Sequence, residues 1–318
     1  MCGRRRAPSS IPLPSGHWTG YTDGVTGGKG QSVSDDLAVE AERRGSLPTH
    51  VILPAGGWVP LGFRELWEYR ELLYFLTWRN IKVRYKQTVL GAAWAVLQPL
   101  LTMVIFSIFF GRLAHIPSEG IPYPIFAFSA LVPWMYFANT LSQASNSLVE
   151  HERMITKVYF PRVLIPAAAV LAGLPDLSIS LAVLLALLAY YGIALTAAIV
   201  ALPLFGALCA ATSLAAGLWF ASLYVRYRDV RYIIPFLIQV WLFATPIAYP
   251  VSLVPTRWQA IYGLNPMVAV VEGFRWCLVG KDRPSGTLLA ASLATVVVLL
   301  ISGLYYFRYM EQGFADVV

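Results

Sequence analysis

FRELWEYRELLYFLTWRNIKVRYKQTVLGAAWAVLQPLLTMVIFSIFFG, residues 63–111, joins two unlike helices end to end. Residues 64–86 are dense in charge and aromatics, whereas 92–111 hold no ionisable side chain. At about 100° per residue, Arg64, Glu68, Glu71, Arg79, Lys82 and Lys86 fall within an arc of roughly 80°. Trp67, Tyr74, Trp78, Ile81 and Tyr85 lie on the adjoining face, with Leu66, Leu73 and Leu76 further round. A helix with a narrow charged face and a broad aromatic one suits the plane of a membrane surface. The charge-free run after it is as long as the roughly 20 residues that cross a bilayer core. Pro99 inside that run is tolerated in membrane helices. The pattern predicts an interfacial helix over 63–87 feeding directly into a first span over 92–111.

The rest of the chain repeats the second half of this pattern. Of 318 residues, 57% are hydrophobic and only 13% charged, unlike an ordinary soluble domain. Charge-free intervals predict further spans at about 123–148, 163–191, 198–224, 232–249 and 287–307. A Pro-punctuated stretch over 255–278 reads as two short half-helices rather than a full span. The expected fold class is therefore an all-α polytopic membrane protein with six transmembrane helices. Small residues along the fourth span, among them Gly206, Ala210 and Gly217, predict close helix packing. The positive-inside rule then places both termini in the cytoplasm. The net charge of +7 sits beside the apolar runs, which points to anionic lipid and topology rather than nucleic acid.

Residues 1–57 are rich in Gly, Pro and Ser and lack the apolar core of a signal peptide; they read as a disordered cytoplasmic tail. DGVTGGKG (23–30) imitates a phosphate loop, but Asp23 and Gly30 stand where Gly and Ser/Thr are required. Cys2, Cys209 and Cys277 are scattered, as are the four histidines, so neither a disulfide nor a metal site is indicated. No Ser/His/Asp set, no Cys/His pair and no coupled acids emerge, which excludes a recognisable catalytic constellation.

Several separated stretches carry a resemblance: TWRNIKVRYKQTVLGAAWAVLQPLLTMVIFSIFFGRLA (77–114), ITKVYFPR (155–162), VRYRDVRYIIPFLIQVWLFATPIAYP (225–250), LNPMVAVVEGFRW (264–276) and the terminal FADVV. Over about residues 58–318 the chain resembles the membrane subunit of bacterial ABC-2 type exporters of polysaccharides, which serve O-antigens, capsules and teichoic acids. The resemblance implies a homodimer in the inner membrane, two copies of a separate ATP-binding subunit, and a lipid-linked polysaccharide as cargo. ATP and Mg would be used by that partner, with no cofactor bound by this chain and no catalysis of its own. It also implies that the half-helices lie on the outer side.

Candidate functional residues follow. By the resemblance, the first cytoplasmic loop (Glu150, His151, Glu152, Arg153, Met154, Ile155) docks on the ATP-binding subunit, and the second (Arg226, Arg228, Asp229) moves with it. The family more often has small or amide residues ahead of ITKVYFPR, so the charges here are a departure. Arg79, Lys82, Arg84 and Lys86 stand where a lipid-linked pyrophosphate would enter, and suit its oxygens as well as anionic lipid. Phe106, Phe110, Trp134, Tyr136 and Tyr249 are candidates either for a sugar-tolerant channel wall or for an interfacial aromatic belt. Asp176 is the one ionisable residue expected well inside a span and needs a partner or water there. Glu272 and Arg275, three apart, can pair on one helix face. Two other readings remain: an ABC-2 exporter of a small hydrophobic molecule, and a secondary transporter or membrane glycan-modifying enzyme. The last class should show inverted repeats with intramembrane charges, or a polar catalytic cluster.

Overall fold

The computed structural model describes residues 67–86, 91–157, 160–280 and 283–311. The expected tail, 1–57, and the first residues of the expected interfacial helix, 63–66, lie outside them. Every regular element among the described residues is helical, with no strand among them.

α1 (Arg70–Lys86) falls within the range expected for the interfacial helix. Its faces divide as the periodicity requires. Leu76 is buried, in one apolar cluster with Leu148, Ile155, Ile165 and Phe307, while Trp67, Tyr74, Phe75 and Trp78 point outward. α2 (Gly91–Phe106) accommodates Pro99 and runs on into a π-helical turn, Ser107–Leu113. α3 (Tyr123–Glu150) is the axis of the fold, with most of its length sealed by neighbours. A single turn, α4 (Glu152–Ile155), follows, and then α5 (Leu164–Leu171) and α6 (Leu174–Tyr190). Pro175 near the start of α6 has no N–H to give to a continuous helix, which accounts for the break at Ala172–Gly173. The chain turns at Gly192, with φ at +68°, a conformation that glycine adopts without strain. A 3₁₀ turn (Ala197–Ala201) opens α7 (Leu202–Arg226).

Among the described residues five continuous stretches are long and apolar enough to cross a membrane: Val96–Leu113, Tyr123–Glu150, Leu164–Tyr190, Ala197–Arg226 and Gly286–Glu311. They match five of the six expected spans. The remaining one is shorter than expected. α8 (Val230–Ala244) has 15 residues, about 22 Å of helix against a bilayer core of about 30 Å, and stops well before Tyr249. The cause is local: Pro246 disfavours a helical Thr245, which is extended at φ −105°, ψ 142°. The half-helices expected over 255–278 are α9 (Thr256–Tyr262) and α10 (Pro266–Val279), and α11 (Gly286–Glu311) closes the described chain.

Packing depends on small residues and on hydroxyls that satisfy themselves. A Cβ on Gly217 of α7 would stand 2.8 Å from the Ala144 methyl of α3, and one on Gly273 of α10 would stand 2.2 Å from the Phe205 ring. Glycine is what lets these helices touch. Thr140, Ser145, Ser213 and Ser222 each donate to the carbonyl four residues back, so no hydroxyl is stranded in the apolar interior.

The segment after α8 is clamped. Asn265 accepts from the Met267 N–H (3.0 Å) as the cap of α10 and from Trp241 Nε1 (2.9 Å), and donates to the Ala244 carbonyl (3.1 Å). Arg275 is 2% exposed and is not a solvated charge. It pairs with Glu272 at 2.8 Å, as the spacing predicted, donates to the Ile247 carbonyl at 3.0 Å and lies 3.7 Å from the Phe126 ring centroid.

Candidate functional site

The four basic residues expected at a phosphate entrance divide in two. Lys82 and Lys86 are exposed, with the Lys82 ammonium 5.3 Å from the Trp78 ring centroid. Arg79 and Arg84 turn inward. The Arg84 guanidinium donates to Asp176 Oδ2 and to Gln143 Oε1, and the Tyr85 hydroxyl donates to Asp176 Oδ1. Asp176 thus has its partner on α1, and it lies in the first turn of α6, where the helix dipole also favours an anion. Burial and then the hydrogen bond to Asp176 push the Tyr85 phenol up to about 12, so it remains a donor at neutral pH.

Arg79 donates to His151 Nε2. The other ring nitrogen, Nδ1, donates to the Ser147 carbonyl at 2.7 Å. A carbonyl only accepts, so the ring carries its proton on Nδ1 and offers a lone pair at Nε2, which is what Arg79 requires. α1 is therefore tied to the end of α3 at His151 and to α6 at Asp176.

His151 opens the first charged loop. Ile155 is buried in the apolar cluster beneath α1, and Met154 is half-buried beside it. They anchor the loop, while Glu150, Glu152 and Arg153 are exposed. In the second loop Arg226, Arg228 and Asp229 are exposed. The two loops are some 75 residues apart in sequence, yet they meet: Glu152, Arg228, Asp229 and Arg231 line a single cavity of about 500 Å³ with Tyr224 and Tyr232. Opposite charges face one another across a surface that is open to a partner.

The aromatic candidates separate as well. Trp134 is 2% exposed, 5.4 Å from Phe137 within the core, so it cannot belong to the wall of a channel formed between two copies. An aromatic near a span end looks alike from either side in sequence, and only packing fixes its direction. Tyr136, 3% exposed, is also interior and donates to the Val170 carbonyl at 3.1 Å. Phe106 and Phe110 form a half-buried T-shaped pair at 5.1 Å. The Tyr249 hydroxyl lies 2.8 Å from that of Tyr262 and donates to the Phe243 carbonyl.

Gln143 was not singled out from the sequence, and neither was Tyr85 as a ligand of Asp176. A signal existed for Gln143. Tyr136, Asn139, Gln143, Asn146 and Glu150 recur at alternating steps of three and four along α3, a polar stripe on an apolar span. Among the described residues no group of His, Cys, Asp and Glu could hold a metal ion, and Cys209 and Cys277 are buried free thiols.

A multi-pass helical bundle with two charged loops meeting at one end suits a membrane transport subunit. Residues 71–279 match the family model described as "ABC-2 type transporter", and the chain belongs to that family. It is 30% identical over 256 residues to the O-antigen export system permease protein RfbA of Myxococcus xanthus, covering 80% of this chain and 97% of that protein. The protein of the same name from Klebsiella pneumoniae is 26% identical over 78% of this chain and 95% of its own length. The polysialic acid transport protein KpsM of Escherichia coli is 24% identical over 74% of this chain and 92% of its own length.

Proposed function

We propose that this chain is the transmembrane permease subunit of an ATP-driven exporter that carries a lipid-linked polysaccharide, of the O-antigen or capsule kind, out of the cytoplasm across the bacterial inner membrane. Two copies enclose the path, and two copies of a separate ATP-binding subunit, holding ATP and Mg, engage the charged loops from the cytoplasm. The observation that carries this reading is similarity along nearly the whole length of relatives named as O-antigen export permeases. The loop geometry supports it: a pocket with Glu152 on one side and Arg228 and Asp229 on the other can grip a helix of mixed charge.

In this reading α1 converts movement of the first loop into movement at the entrance. A push on the loop reaches Arg79 through His151, and α1 carries it to the Arg84–Asp176 pair. Lys82 and Lys86 remain on the outer face of α1 to meet phosphate oxygens of the lipid carrier.

The test is reconstitution. The chain and its ATP-binding subunit in vesicles should move lipid-linked polysaccharide across the bilayer with ATP and Mg, and not without either. Transport of a small hydrophobic molecule in place of the glycan would overturn the cargo assignment.

A further inference from the structure

A second cavity, of about 520 Å³, lies between α2, α3 and α6, directly beyond the Arg84–Asp176 pair. Its size falls within the roughly 300–1,000 Å³ of small-molecule sites. Amides are its main uncommitted polar groups. Gln98 of α2 and Asn139 of α3 are exposed into it, and neither side chain makes a hydrogen bond among the described residues. Ser180 of α6 adds a hydroxyl, and the exposed Trp94 supplies a ring face. Asn139 is about 17 Å along α3 from Glu150, mid-way along an apolar span, where an amide open to the cavity needs water or a ligand to meet it.

The charge balance narrows the ligand. Among the described residues Arg84 is the one cation on the cavity wall, and it is neutralised by Asp176 and held by Gln143. An incoming phosphate would have to compete with a carboxylate already in place. A neutral group rich in hydroxyls meets no such barrier. Its O–H groups can donate to the amide oxygens and to the spare lone pairs of Asp176, and its oxygens can accept from the amide N–H groups. Its C–H faces can lie on Trp94.

We propose that this cavity binds an uncharged glycosyl unit of the transported lipid-linked glycan, with Asn139 and Gln98 as its hydrogen-bonding residues. The inference rests on the polysaccharide reading above and adds to it a site and a ligand class.

The test uses the full chain with its ATP-binding subunit in nanodiscs, titrated with radiolabelled dodecyl β-glucoside, with dodecyl phosphate and dodecanol as competitors. Saturable glucoside binding is expected, not displaced by the phosphate or the alcohol. Asn139→Leu and Gln98→Leu should each weaken it about tenfold, the effect of a lost hydrogen bond. Asn139→Gln should retain most of it. Thermal unfolding and co-elution with the ATP-binding subunit report folding, and either Leu variant alone suffices. Equal competition by dodecyl phosphate would make the cavity an anion site, and equal competition by dodecanol a lipid-tail site; both overturn the proposal, as does unchanged glucoside binding in the Leu variants. Surface glycan is scored separately in cells. Export that depends on the wild-type chain, alongside unchanged binding in the variants, removes the site and leaves the transport reading. Surface glycan independent of the chain removes the transport reading, whatever the glucoside does.

Discussion

α2 and α3 are both apolar, both interrupted by a proline and both long enough, with the turn after α2, to span a membrane. Their surroundings are opposite. In α3 78% of the apolar window is buried within the chain; in the stretch through α2 it is 11%. α3 is enclosed by α5, α6, α7 and α10, and its small residues and self-bonded hydroxyls suit tight packing. α2 presents Leu97, Leu101, Ile105 and Phe109 outward, to lipid or to a second copy. Hydropathy measures what a helix can tolerate, not what it touches. The enclosed helix is mainly scaffold, but its polar stripe joins the open helix, α6 and the end of α1 in framing the polar cavity. α3 thus serves both ends on different faces, packed along most of its length and opening its polar stripe to the cavity, whereas α2 adds little to the core of the protomer.

The comparison can be broken with substitutions. The largest effect is expected for Trp134→Ala in α3, which empties a buried site and should destabilise by about 3–5 kcal/mol, read as loss of monodisperse protein in detergent. If Trp134→Ala folds normally and only transport fails, the channel role returns. Leu76→Ala should cost about 2–4 kcal/mol and free α1, seen as faster proteolysis of that helix. Asp176→Leu strands Arg84 in a partly exposed site. A loss of about 1–2 kcal/mol is expected, discounted for solvent, with a larger fall in transport than in stability. Leu101→Ala on the open face of α2 should change protomer stability by no more than about 0.5 kcal/mol. A large loss there would mean that a second copy covers this face and is needed for folding.

Much of this architecture could be read from the distribution of charge. Spans declare themselves by what they lack, so five of them were legible, as were the helix ahead of the first and the two short helices before the last. α8 was overextended because a charge-free run continues to Tyr249, whereas the helix obeys Pro246. The site was legible in parts but not as a whole. Arg84 and Asp176 each stood out, one as a phosphate ligand and the other as an acid lacking a partner. Their pairing spans 92 residues, and no local period encodes it. The polar stripe of α3 was passed over because it holds amides rather than charges until Glu150, and a search for ionisable residues does not see amides. The direction of Trp134 was not legible at all, since inside and outside are equally apolar for a membrane helix.

The most direct test is the location of lipid-linked glycan after deletion of the gene for this chain, read by immunodetection on intact cells and on inverted membrane vesicles. Surface polysaccharide should be lost while lipid-linked glycan accumulates on the cytoplasmic side, with both reversed by the wild-type gene. Unchanged surface polysaccharide, in a cell with no second exporter of this kind, would contradict the assignment.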